Sequence, residues 1–172
     1  MHSFTTERLL IRPLDEQDRD LYFSLYCDEK TMRHIAKAFT HQEVEKAFNN
    51  TLKAMQKEKP KVMTWAIITL DNNECIGIQA LNWQTQKIAN TAEIGIMLTA
   101  ESQGQRFPEE SMNALIGYAF NLLGLDKINA FYSKGNLKSK RVFDKLGFIF
   151  DVEQQPKNTN DSYQFFDKEN WK

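Results

Sequence analysis

Thr91 to Ser133, TAEIGIMLTAESQGQRFPEESMNALIGYAFNLLGLDKINAFYS, changes its hydrophobic period twice. From Thr91 to Thr99 the residues alternate in character, which is the period of a β-strand. From Pro108 the apolar residues recur at helical spacing until Gly124, a residue type that commonly ends helices. Lys127 to Ser133 is again typical of a strand. A strand, a helix and a strand in this order predict a parallel β-α-β unit.

The segments on either side of this unit extend it into a mixed sheet. Thr40-His41-Gln42-Glu43 is a capping box that predicts a helix start, and Asp71-Asn72-Asn73 predicts the turn of a hairpin. We therefore predict an α+β fold with a mixed, mainly antiparallel sheet of about seven strands and about four helices. The flanking predicted elements are a strand at 8–12, helices starting near Asp15 and Thr40, strands at 62–70 and 75–83, a helix at 136–146, and strands at 148–152 and 163–166.

Composition excludes several classes of protein. The 172 residues suit one domain, predicted to cover residues 1–172, and a net charge of −1 is not that of a dedicated nucleic-acid binder. No apolar run is long enough to cross a bilayer, and the amino terminus does not resemble a secretory signal. Cys27 and Cys75 are far apart and have no metal-ligand spacing, so we expect no metal site and a cytoplasmic location.

The segment Glu101 to Glu110 joins the strand and the helix of the β-α-β unit. A loop there can direct unpaired backbone N–H groups at an anion, assisted by the positive end of the helix. One hypothesis is a pyrophosphate-binding loop. The alternative is a plain connection, since Gly104 is its single glycine.

Four stretches resemble the GNAT superfamily of N-acetyltransferases, in particular its ribosomal-protein N-terminal acetyltransferase-like branch. They cover much of the chain and follow one another in the family's order. The stretches are Thr6-Glu7-Arg8-Leu9-Leu10-Ile11-Arg12, Glu74-Cys75-Ile76-Gly77, Ala92-Glu93-Ile94-Gly95-Ile96-Met97-Leu98, and Asn136-Leu137-Lys138-Ser139 followed by Val142-Phe143-Asp144-Lys145-Leu146-Gly147-Phe148.

The resemblance implies transfer of an acetyl group from acetyl-CoA to a primary amine by direct attack, without a cysteine nucleophile or a metal. The acceptor could be a protein N-terminus, an amino sugar, a polyamine or an amine antibiotic, and the protein a monomer or homodimer. The resemblance also implies that two strands of the sheet splay apart and that the pantetheine arm lies between them. Backbone groups near Met97, Leu98 and Thr99 would pair with that arm.

Three side chains receive roles from the resemblance. Glu93 is the candidate base, although a structural hydrogen bond or a water chain in place of a dedicated base is an alternative. Asn136 and Ser139 would touch the pantetheine arm, and Ser139 would protonate the departing thiolate. The alternative is that Asn136 is an ordinary helix N-cap and Ser139 a first-turn hydroxyl.

The loop that the first hypothesis assigns to pyrophosphate departs from the family pattern. Gln103-Gly104-Gln105-Arg106-Phe107-Pro108 keeps the family's first residue, but Arg106 and Pro108 stand where small residues are usual. Arg106 could meet the phosphates with its guanidinium, or it could fill the space that CoA needs. The second possibility leads to a different function, a GNAT-fold binding or regulatory module that has lost CoA chemistry.

Overall fold

One mixed sheet with helices on both faces forms the centre of the structure. The computed structural model describes residues 1–83, 88–157 and 159–171. The strands are β1 (Phe4–Thr5), β2 (Leu9–Pro13), β3 (Val62–Thr69), β4 (Cys75–Asn82), β5 (Thr91–Leu98), β6 (Lys127–Ser133), β7 (Ile149–Phe150) and β8 (Asp161–Asp167). The helices are α1 (Arg19–Cys27), α2 (Glu29–Met32), α3 (His41–Met55), α4 (Phe107–Asn121) and α5 (Leu137–Leu146).

The strands lie in the order β1-β2-β3-β4-β5-β6-β8-β7. Within the described residues, β5–β6 is the one parallel pair, and the α4 crossover joins its two strands. The predicted α+β mixed sheet is therefore confirmed. It has eight strands and five helices, and the two elements absent from the sequence prediction are β1 and α2. Both are too short to show a hydrophobic period.

The two faces of the sheet bury separate cores. On one face, apolar residues of β5 and β6 such as Ile94 and Ile128 pack with Leu115 and Phe120 of α4. On the other face, α1 and α3 bury Leu25 and Phe48, among others, against β3 and β4. No helix in the described part of the chain is long and apolar enough to cross a membrane.

The pairing of β5 with β6 stops early. Its register is Thr91 with Lys127, Ala92 with Ile128 and Glu93 with Asn129. Beyond that point 94–98 of β5 and 130–133 of β6, all of which the structure describes, are not paired with each other. We call the space between these two segments the gap.

Gly77 allows β4 to approach β5 beside the gap. It pairs with Leu98, whose side chain lies over it. A Cβ atom at this position would collide with the Met97 carbonyl oxygen and the Leu98 side chain, closer than real Cβ atoms come. Steric exclusion therefore explains why Gly77, in the stretch Glu74-Cys75-Ile76-Gly77 that resembles the family, is a glycine.

Candidate active site

Main-chain groups of β5 face the gap in an alternating pattern. The Lys127 N–H donates to the Asn90 carbonyl at 3.5 Å on the β6 side, and the Thr99 N–H donates to the Ile76 carbonyl at 2.9 Å on the β4 side. Because successive residues of a strand point their N–H and C=O groups to opposite sides, Ile96 and Leu98 direct theirs into the gap.

Of the three residues that the family resemblance singled out, Leu98 has main-chain groups facing the gap. Met97 and Thr99 direct theirs toward β4 by the same alternation. Ile96 was not singled out from the sequence, because the alternation becomes assignable to one side only when the neighbouring strands are known.

The loop of residues 103–108, the phosphate loop, has a backbone that suits an anion. Gly104 and Arg106 adopt left-handed conformations, with φ of 84° and 63°. Within the described residues, the N–H groups of Gly104, Gln105 and Arg106 donate no hydrogen bond. Arg106 thus has the conformation that a glycine would adopt at this family position, and neighbouring N–H groups are left for a ligand.

The first turn of α4 follows this loop directly. The helix begins at Phe107, one residue before the predicted start at Pro108, and Arg106 is its N-cap without a side-chain capping bond. The proline occupies a position whose N–H has no intrahelical partner in any helix, so it removes no hydrogen bond from α4. The positive end of α4 therefore points at the loop.

Two lysines of α5 meet the same loop and helix. Lys138 Nζ donates to Gln103 Oε1 at 2.7 Å, and Lys145 Nζ lies 2.9 Å from Glu109 Oε1. Burial acts to raise the pKa of the Glu109 carboxyl, but the Lys145 hydrogen bond and neighbouring charges outweigh it and hold the pKa below its usual range. The exposed ammonium of Lys138 is placed where it can meet a phosphate.

Asn136 and Ser139 lie at the start of α5. Asn136 Oδ1 accepts from the Ser139 N–H at 3.2 Å, so Asn136 is a helix N-cap. Ser139 is half-buried, and its hydroxyl has no hydrogen-bond partner among the described residues. The capping alternative therefore describes Asn136 well, and the Ser139 hydroxyl is available to a ligand.

A buried hydrogen-bond chain fixes α5 to the sheet. The Tyr132 hydroxyl donates to Gln164 Oε1 at 3.0 Å, and Gln164 Nε2 donates to Asp144 Oδ1 at 2.8 Å. Lys140 Nζ lies 2.7 Å from Asp144 Oδ2. Because Tyr132 lies on β6, Gln164 on β8 and Asp144 near the end of α5, the chain holds the C-terminal half of α5 in place relative to the sheet.

Glu93 lies at the point where β5 and β6 separate. It is half-buried, with Asn82 opposite on β4 and Asn129 opposite on β6. The Tyr163 hydroxyl donates to Asn129 Oδ1 at 2.9 Å, and burial, with smaller contributions from Asp151 and Asp167, raises the pKa of Tyr163 to about 12. This tyrosine therefore remains a neutral donor at physiological pH.

The sheet face that carries Glu93 is open above the gap. Gly95, two residues along β5, is exposed, and a Cβ atom built on it meets nothing within 4 Å. Phe131 of β6 is 40% exposed and lies 5.1 Å from the Tyr163 ring. A small molecule could therefore reach the end of the gap from this side, over Gly95 and beside the Phe131 ring.

Comparison with known proteins shows which family the chain belongs to. The profile of the acetyltransferase (GNAT) domain family matches residues 8–149. The chain is 29% identical over 145 residues to the uncharacterised N-acetyltransferase YoaA of Bacillus subtilis (strain 168), covering 83% of this chain and 80% of the relative.

Solved acetyltransferase structures share the fold. The spermidine N-acetyltransferase of Vibrio cholerae, in complex with CoA and spermine, superposes with a TM-score of 0.79 at 20% identity over 96% of this chain and 99% of the other. The ribosomal-protein-S5-alanine acetyltransferase of Vibrio fischeri has a TM-score of 0.79 at 19% identity over 100% of both chains. With the family match covering most of its length, this chain belongs to the GNAT acetyltransferase family and is an acyltransferase.

Proposed function

We propose that the protein transfers an acetyl group from acetyl-CoA to a primary amine. The observation that carries the proposal is the gap between β5 and β6, which begins at Glu93 and opens toward the phosphate loop. It leaves main-chain groups of Ile96 and Leu98 free to pair with the amides of a pantetheine arm, as an added strand would.

Different residues around the gap would bind the pyrophosphate and transfer the protons. The unpaired N–H groups of the phosphate loop, the start of α4 and the Lys138 ammonium would hold the pyrophosphate. The amine nitrogen would attack the thioester carbonyl carbon, so that a C–N bond forms and the C–S bond breaks. Glu93 would take a proton from the substrate ammonium before the neutral amine attacks. The hydroxyl of Ser139 would donate a proton to the departing thiolate, and the second nitrogen proton, lost as the amide forms, would restore the hydroxyl.

The open face over Gly95 favours an acceptor with an apolar flank. The ring of Phe131, which is 40% exposed, offers contact area to an aromatic or aliphatic group next to the amine. Lys127 lies over the Phe165 ring on this same face, 4.0 Å from its centroid, and its charge is paired with Asp167 at 3.4 Å. We therefore propose an acceptor with an apolar group beside its amine, such as a peptide N-terminus with an apolar first residue. The two free cysteines support a cytoplasmic location.

Titration calorimetry and thiol release test this function together. We expect acetyl-CoA to bind with a Kd on the order of micromolar, about −8 kcal/mol, and more weakly as salt rises, because phosphates are involved. Thiol release should be faster with phenethylamine or an apolar-ended peptide than with spermidine. Absence of binding at millimolar acetyl-CoA in low salt would contradict the proposal and favour a GNAT fold that has lost CoA chemistry.

The direction in which substitutions of Arg106 change the CoA affinity distinguishes two roles for its side chain. If the guanidinium meets the pyrophosphate, Arg106→Ala should weaken CoA by about 1–3 kcal/mol, the scale of a lost charge-assisted hydrogen bond, and leave pantetheine unaffected. Arg106→Gly should also weaken CoA, although it should raise the free energy of unfolding by about 1 kcal/mol by relieving the left-handed backbone. Tighter CoA binding by the glycine variant would mean instead that the arginine obstructs the phosphate space.

A further inference from the structure

Arg8, the residue before β2, contacts the phosphate loop at the end of the sheet where β5 ends. Its guanidinium donates to the Gln105 carbonyl oxygen at 3.1 Å and lies over the Phe107 ring, 4.6 Å from the centroid. The same group forms an ion pair with Glu110 in the first turns of α4, at 2.6 Å. One side chain therefore holds the loop, the first residue of the helix and the helix itself.

Arg8 is itself fixed on both sides. Its carbonyl accepts from the Leu70 N–H at 2.9 Å, and its own N–H donates to Glu110 Oε1 at 2.9 Å. Glu110 also accepts from the Thr6 hydroxyl at 2.5 Å. Burial acts to raise the pKa of the Glu110 carboxyl, but the bonds from Thr6 and Arg8 outweigh it and lower the pKa. Glu110 thus stays ionised at neutral pH, and the ion pair persists.

The phosphate loop needs this external support. Arg106 is held in a left-handed conformation that costs a non-glycine residue about 1–2 kcal/mol, and no side chain caps the helix at this residue. In a planar trans peptide, the C=O of Gln105 and the N–H of Arg106 point in opposite directions. By holding the Gln105 carbonyl, Arg8 directs the Arg106 N–H away from itself and leaves it for a ligand.

We propose that Arg8 is a positioning residue for phosphate binding, acting through the Gln105–Arg106 peptide with Glu110 as its counter-ion. The inference rests on the proposed function, because it assigns the loop to the pyrophosphate of CoA. The chain offers a matched control in Arg19, whose guanidinium pairs with Glu45 and lies 4.3 Å from the centroid of Phe23. The two side chains have similar exposure, 44% for Arg8 and 48% for Arg19.

Calorimetry with CoA tests the role of Arg8. Arg8→Gln should weaken CoA by about 10- to 100-fold, and Arg8→Lys by less, because an ammonium keeps the charge but not the forked geometry. Glu110→Gln should weaken CoA as well, since the arginine loses its anchor. Arg19→Gln should leave the CoA affinity unchanged.

A second measurement separates positioning from general stability. The kcat/KM for S-acetylpantetheine, which carries no pyrophosphate, should be the same in Arg8→Gln as in the native chain. An equal loss with this substrate and with acetyl-CoA would overturn the inference in favour of a merely structural role. Tighter CoA binding by Glu110→Gln would overturn it too, because this indicates direct charge attraction between Arg8 and CoA. Unchanged CoA affinity in Arg8→Gln would overturn this inference alone, whereas a native chain that binds no CoA would overturn it together with the proposed function.

Discussion

Asp18→Ala is expected to lower the free energy of unfolding by about 3 kcal/mol, because it removes the nearer counter-ion of a partly buried guanidinium and leaves it only Asp15 at 3.3 Å. The Asp18 side chain is 2% exposed, and that of Arg12 is 21% exposed. Two parallel bonds of 2.7 Å join them, and Asp18 Oδ2 also accepts from the Asp15 N–H at 2.9 Å. The hydrogen bond and charge of Asp18 raise the pKa of Arg12 despite burial.

Urea denaturation measures this loss of stability, and two further variants test its cause. Glu45→Ala removes the exposed ion pair with Arg19 and should cost about 1 kcal/mol or less. The double variant Arg12→Leu/Asp18→Leu removes both buried charges and should recover most of the stability. An Asp18→Ala loss no larger than that of Glu45→Ala would contradict the prediction. A double variant as unstable as the single one would show that the guanidinium left without Asp18 is not the cause.

Glu93→Gln is expected to lower turnover by about 10²- to 10⁴-fold, the usual contribution of a positioned base. Glutamine keeps the size of the side chain, but it cannot take the ammonium proton. The acidic limb of the pH–rate profile should flatten with it. The CoA affinity should not change, since Glu93 lies at the closed end of the gap, away from the phosphate loop.

The control for this variant is Glu153→Gln, which neutralises an exposed carboxylate in the turn between β7 and β8. It should leave both turnover and the pH profile as they are. If Glu93→Gln instead kept the native profile, the base would have to be a water chain or another group. The fold assignment and the CoA site would be unaffected by that result.

Local sequence determined the elements and much of their order. Thr40 and Glu43 form the predicted capping box of α3, and Gly147 ends α5 in a left-handed conformation. The alternation in β5, followed by the helical period of α4, predicted the parallel unit correctly. These features could be predicted because each depends on residues within a few positions of one another.

The site depended on contacts between distant residues. Arg8 and Glu110 are separated by 102 positions and show no pattern that relates them. The family resemblance supplied Glu93 and Ser139, but the side chains surrounding Glu93 come from strands that meet it only in the folded sheet. The sequence likewise left open whether Arg106 could adopt the backbone of a glycine.

The sequence by itself determined a mixed α+β sheet with one parallel unit, because hydrophobic period and capping are local properties of the chain. The tertiary structure alone decided where β5 parts from β6, which main-chain groups face the gap, and that Arg8 holds the phosphate loop from outside. The physical reason is that strand register and ion pairing join segments far apart in sequence, and no local pattern encodes the position at which two neighbouring strands stop pairing.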